Sequence, residues 1–141
     1  MSDRDPSCIF CGIIEGKRPA DKVYEDESVV AFRDANPASP IHILIVPRRH
    51  FATLNDVPEG DRLVAHMTEV ARKIARDHGV ADTGYRFIIN VNRGGGQVVF
   101  HLHAHLVAGS DFGTVFIKMG IALAVLSRKV FGAFGGKPRR S

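Results

Sequence analysis

Three histidines stand at alternate positions in His101-Leu102-His103-Ala104-His105, and the 141-residue chain holds only seven in all. Side chains on a strand alternate faces at a rise of about 3.3 Å per residue, so the three imidazoles would line one face at roughly 6–7 Å intervals. Leu102, Ala104 and Leu106 would then point into the core. A buried polar group without a partner costs on the order of 1–3 kcal/mol, so such a row calls for a metal or for chemistry. Imidazole titrates near pH 6.5, roughly, and serves around neutrality as a nucleophile, a general acid or a ligand.

A second group with chemical potential is the pair Cys8 and Cys11, three apart. Cys-x-x-Cys can grip a metal with two thiolates or act as a redox pair, and two reduced, buried cysteines fit the same spacing. Two cysteines are too few for a secreted disulfide scaffold, which points to a reducing compartment and so to the cytoplasm. Asn90 lies on the wetter face of the run Tyr85-Arg86-Phe87-Ile88-Ile89-Asn90 and joins the site candidates.

These residues need elements to hold them. Ile9, Phe10, Ile13 and Ile14 have helical spacing before Gly16 and Pro19, which predicts a short N-terminal helix or turn. "KVYEDESVVAFRD" reads as a hairpin around Glu25-Asp26-Glu27, followed by the loop "ANPASP". "IHILIVP" is a strand with His42 in register with Leu44 and Val46. Asp56 and Glu59 match a capping box with Pro58 in the first turn, and Leu63, Met67, Val70 and Ile74 continue a long helix to near Gly79. "YRFIINVN" alternates as a strand, and "RGGGQ" is a loop leading into "VVFHLHAHLVAG". Strands in runs with one long helix between the third and fourth predict an α+β domain with a largely antiparallel five-stranded sheet.

One domain suits this length. Apolar residues make up 45% and charged residues 24%, enough for a core and far from the signature of disorder. The formal charge of +4 comes from scattered basic residues, so polymeric nucleic acid is not the expected partner and a small anion suits the balance. The N-terminus has no basic segment followed by an apolar one, as a signal peptide would.

The segments "CIFCGIIEGKRPA", "YEDESVVAFRDANPASPIHILIVPRRH" and "GYRFIINVNRGGGQVVFHLHAHLVAG" resemble, in order and spacing, the histidine triad (HIT) nucleotide-binding family, and the Hint branch best. The resemblance implies the HIT fold over residues 1–110. It also implies hydrolysis or transfer of nucleoside monophosphate groups, with His103 as nucleophile and a nucleotidyl-histidine intermediate. His105 would orient the site, and His42 matches the family's fourth histidine near the phosphate. Gly95, Gly96 and Gln97 match the phosphate loop, Asp34 the ribose carboxylate, and Phe10, Ile13 and Phe32 the base pocket. The zinc-containing members would add His50 and His101 to Cys8 and Cys11 as ligands of a structural Zn²⁺. A homodimer and a purine nucleoside phosphoramidate substrate follow from the resemblance alone. A dinucleoside polyphosphate hydrolase and a non-catalytic nucleotide- or zinc-binding adaptor are the other readings. His105 stands where the uridylyltransferase branch carries glutamine.

Two features depart from the branch. Val98 stands where many members carry a serine near the leaving group, so protonation must come from a histidine or water. Residues 111–141 hold no tryptophan and instead suggest a helical extension with a basic tail, its stripe formed by Phe116, Met119, Leu123, Leu126 and Val130. Packing on its own domain or on a partner subunit is the first expectation for it, and contact with a membrane surface the second.

Overall fold

The structure, a computed structural model, describes residues 5–109, so the expected C-terminal extension lies outside the described residues. The elements in chain order are α1 (Ile9–Ile14), β1 (Lys22–Glu25), β2 (Val29–Arg33), β3 (Ile41–Pro47), α2 (Leu63–Asp77), β4 (Arg86–Ile89) and β5 (Ala104–Ala108). The five strands form one antiparallel sheet in the order β1-β2-β3-β5-β4. The α+β architecture is the one the sequence predicts.

Strand alternation sets the two larger of the three apolar clusters among the described residues. Val29 and Ala31 of β2, Ile43 and Ile45 of β3, and Leu102, Ala104 and Leu106 pack under Met67, Val70, Ala71 and Ile74 of α2. Side chains of one parity therefore face the long helix. The other parity gives Val30, Phe32, Leu44 and Val46, which pack on Phe10 and Ile14 of α1. His42 and His105 belong to this second face, because His105 pairs with Leu44 and His42 lies two positions from Leu44. Each fully buried leucine or isoleucine contributes roughly 1.5–3 kcal/mol, so the α2 core anchors the strands that carry the histidines.

Three local expectations are corrected. The helix begins at Leu63, not at Asp56, since Pro58 and a left-handed Gly60 (φ 77°) interrupt the chain and the Asp61 side chain accepts the Leu63 N–H at 2.9 Å. Asp56 does serve a capping box, but as the third residue of a 3-10 turn (Leu54–Asp56) capped by Thr53. The fourth strand ends at Ile89, ahead of Asn90.

The third correction concerns the triad. His101 to His103 are not strand residues, although their alternation persists, because β5 begins at Ala104. Its partner β3 ends in Pro47, which has no N–H to extend the ladder. The Pro47 carbonyl instead takes the His101 ring, and the Leu102 N–H goes to the Phe51 carbonyl at 2.7 Å. The backbone of this segment is spent on the site.

Candidate active site and metal centre

His101 is fully buried and its Nε2–H donates to the Pro47 carbonyl at 2.8 Å. Because a carbonyl only accepts, this contact fixes the tautomer and leaves Nδ1 bare. That nitrogen lies 3.4 Å from the Cys8 sulfur, 3.5 Å from the Cys11 sulfur and 3.1 Å from His50 Nδ1, and the His50 nitrogen is 3.4 Å from Cys11. All four ligand atoms fall within 4.8 Å of one another. Tetrahedral zinc with ordinary Zn–N and Zn–S bonds would place its ligands about 3.3 Å (N to N) and about 3.6 Å (N to S) apart. The observed separations match.

The surroundings fit a cation as well. The backbone N–H of Cys11 donates to the Cys8 sulfur at 3.3 Å, and that of Asp5 to the Cys11 sulfur at 3.4 Å, contacts that stabilise thiolates. Burial is the largest cause that pushes the Cys11 thiol up to about 11, with Cys8 beside it adding to the rise, and the His101 imidazole down to about 4, with His50 and His103 adding to the fall. The histidine is thereby held in its ligating neutral form, and the thiol needs a positive charge to ionise. Residues from α1, the end of β3 and the triad segment meet here.

The second cluster begins at His103, which is buried, with Phe10 edge-on to its ring at 5.1 Å between centroids. Its Nδ1–H donates to the His101 carbonyl at 2.7 Å, so Nε2 carries the bare lone pair. Burial, the largest cause, lowers its pKa and favours the neutral ring. The His105 ring lies 4.9 Å away between centroids.

His42 sets the state of His105. The Ala38 backbone N–H donates to His42 Nδ1 at 2.9 Å, so the His42 proton sits on Nε2. From there it is given to His105 Nδ1 at 2.9 Å, with an Asp34 carboxylate oxygen 3.4 Å away. His105 is left with its proton on Nε2. Asp34, His42 and His105 also stand close enough to hold a metal ion, but this directed chain of hydrogen bonds already satisfies the two rings. The other Asp34 oxygen accepts the Asn36 N–H at 2.8 Å, which fixes the carboxylate at the edge of the site.

The glycine loop lies beside Asn90, whose backbone is 4.0 Å from where a Cβ on Gly95 would stand. Asn92 (φ 59°) and Gly96 (φ 84°) both have positive φ, Gly96 in the left-handed helical region, with a 3-10 turn at Arg93–Gly95 between them. Gly95 and Gly96 are exposed. Gln97 is buried and braces the loop: its carbonyl oxygen accepts the Asn92 N–H at 2.9 Å, and its amide donates to the carbonyls of Ala52 and Val99. Asn90, half-buried, follows β4 on the parity of Ile88, which pairs with His105, so it comes next in register to His103. Phe10 and Phe32 are buried against each other at 5.6 Å, with Ile13 partly buried beside them. Val98 is 87% exposed and brings no polar atom.

Side-chain patterns gave no sign of three groups that set this geometry: the Ala38 N–H and the carbonyls of Pro47 and His101. All three are backbone atoms. The turn breakers around Ala38 and the strand-ending Pro47 were the available signals.

Burial lowers His105 to about 3, and His42 is lowered for the same first cause. An unfolded histidine takes up its proton below about pH 6.5 whereas the folded His105 resists until about pH 3, so stability falls as the pH drops through that window. His105 alone adds a slope approaching about 1.4 kcal/mol per pH unit. Urea unfolding of wild type and His105→Asn between pH 7.5 and pH 4.5 checks this, with a flatter curve expected for the variant. Parallel curves would contradict it.

A row of histidines on one sheet face, backed by a glycine loop and an aspartate, defines a histidine triad protein. The chain belongs to the HIT domain family, which matches residues 15–112. It is 46% identical over 114 residues to the purine nucleoside phosphoramidase of Escherichia coli K12, covering 80% of this chain and 96% of that protein. A histidine triad protein from Clostridium difficile superposes with a TM-score of 0.75 at 45% identity, covering 77% of this chain and 96% of its own. A zinc-bound histidine triad family protein from Mycobacterium smegmatis gives a TM-score of 0.67 at 31% identity, over 87% and 97%. Cys8 and Cys11 precede the family match. Among the described residues, no helix is long and apolar enough to cross a membrane.

Proposed function

We propose that the chain is a nucleotide-binding hydrolase of the HIT family that cleaves purine nucleoside 5′-phosphoramidates through a nucleotidyl-histidine intermediate on His103. The observation that carries this reading is the orientation of that ring, its Nδ1–H tied to the His101 carbonyl and Nε2 left as a bare nucleophile. The phosphoramidase relative supports the substrate class.

In the first step the His103 Nε2 lone pair forms a bond to the α-phosphorus while the bond from phosphorus to the leaving amine breaks, and the amine takes a proton from water. In the second, the hydroxide left by that water bonds through its oxygen to phosphorus and the P–Nε2 bond breaks with its electron pair returning to Nε2, releasing nucleoside monophosphate and restoring neutral His103. One water is consumed overall. The His105 Nε2–H donates to a phosphoryl oxygen, Gly95 and Gly96 offer the phosphate a backbone without Cβ atoms while their own N–H groups bond the Asn92 and Arg93 carbonyls, and Asn90 flanks His103. Asp34 accepts the ribose hydroxyls, and Phe10, Ile13 and Phe32 receive the base. Gln97 acts by holding the loop, and His42 by holding the His105 tautomer.

Cys8, Cys11, His50 and His101 would hold a structural Zn²⁺, which when bound supplies a cross-link between α1, the end of β3 and the triad segment. In this reading the protein works as a homodimer in the cytoplasm, where its two cysteines stay reduced.

A substrate panel tests the reading. Adenosine 5′-phosphoramidate and a lysyl-AMP conjugate should be turned over with kcat/KM at least about tenfold above diadenosine tetraphosphate. A preference for the tetraphosphate would overturn the substrate class. Binding of AMP with no turnover of any of the three would overturn the hydrolase.

A further inference from the structure

A cavity of about 310 Å³ lies away from the triad, between the β1–β2 turn, the chain just past β3 and the first turn of α2. We propose that it is a second ligand site, for a small phosphomonoester, distinct from the nucleotide site. Arg48, Arg49 and Arg62 line it, together with Ser28 and His66. Their placement is built by the fold. Arg48 Nε donates to the Asp26 carbonyl at 2.7 Å and a terminal nitrogen to Glu25 at 3.1 Å, while its backbone N–H reaches the Ser28 carbonyl at 2.8 Å. The Arg49 guanidinium lies 4.7 Å above the Phe51 ring.

His66 is anchored equally firmly. Its Nε2 lies 2.7 Å from an Asp26 carboxylate oxygen that also accepts the Tyr24 hydroxyl at 2.7 Å, and the other Asp26 oxygen takes the N–H groups of Ser28 and Val29, both at 2.8 Å. The saturated carboxylate fixes the ring at the cavity wall. Arg62 opens α2 and its side chain makes no capping bond. Guanidiniums with aligned donors suit phosphate oxygens in paired hydrogen bonds.

The size and the counter-charges narrow the ligand. The volume is at the lower end of small-molecule pockets, about 300–1,000 Å³, and leaves room beside a phosphoryl group for a few carbon atoms against Leu63. Glu27 and Asp61 also line the cavity, and Asp61 is 3.9 Å from Arg49. They repel an extended polyanion and tolerate one compact anionic group. A phosphomonoester of a small organic molecule meets both conditions.

The test is a titration of ¹⁵N-labelled, zinc-loaded protein with inorganic phosphate and with glycerol 3-phosphate. Saturable shifts are expected at Ser28, Arg62 and His66, with glycerol 3-phosphate binding more tightly than phosphate. Arg62→Glu, at an exposed position without a capping bond, should weaken them about tenfold or more and leave AMP shifts at Gly95 and Gly96 unchanged. Shifts confined to Gly95, Gly96 and His103 would overturn the proposal. So would cavity shifts that the variant does not alter, or that fail to saturate.

Discussion

His103→Ala should lower turnover of adenosine 5′-phosphoramidate by at least about 10⁴-fold while leaving AMP affinity within about fivefold. Removing a nucleophile removes the covalent route, and the groups that remain only position and polarise. The polar binding groups survive because they are held elsewhere: Gln97 by Ala52, Val99 and Asn92, and Asp34 by Asn36 and His42. His105→Asn should cost less, about 10²-fold, as the loss of one preorganised donor. The contrast separates the roles of two histidines that sequence spacing makes equivalent. Steady-state kinetics with calorimetric AMP titration checks both, and a His103→Ala enzyme keeping a few per cent of its rate, on the order of 10⁻² or more, would show that water attacks directly.

The metal centre gives the second large effect. Purified wild type should carry about one zinc per chain, and Cys11→Ser should carry almost none. With the ion gone, His101 Nδ1 and His50 Nδ1 face each other 3.1 Å apart beside two sulfurs, a set of groups poor in donors. Structural zinc contributes many kcal/mol to small domains, so its loss here should cost at least about 3 kcal/mol and lower Tm by roughly 10 °C or more. Activity should fall too, because the His101 carbonyl that orients His103 belongs to a residue of the Cys8, Cys11, His50 and His101 cluster. Elemental analysis and calorimetry of the two proteins decide it. Wild type that binds no metal, or an apo-protein that melts with the holo-protein, would contradict the site.

Strand alternation made much of this site legible. The parity that buries Leu102, Ala104 and Leu106 under α2 places the triad histidines on the opposite side, even though hydrogen-bonded strand begins only at Ala104. Alternation survives because the core demands it, while the ladder stops because Pro47 cannot continue it. The start of α2 is hidden in the sequence for a related reason: Asp56 does cap, but a local turn, and no side-chain pattern distinguishes one turn from the first turn of a helix. The long-range meetings of Cys11 with His50 and of His42 with His105 were legible through the family resemblance and not through spacing, since residues 39 and 63 apart in sequence carry no periodic signal. Backbone donors and acceptors such as Ala38 N–H and Pro47 carbonyl have no residue type to read.

The central claim is the bond between phosphorus and His103. The wild-type enzyme, mixed with excess adenosine 5′-phosphoramidate and quenched within one turnover in alkali, which preserves phosphohistidine-type P–N bonds, should yield a peptide carrying adenylate on His103. His105→Asn should give the same adduct, and His103→Ala none. An enzyme that turns the substrate over with no adduct, or with adenylate on a different residue, would contradict the account.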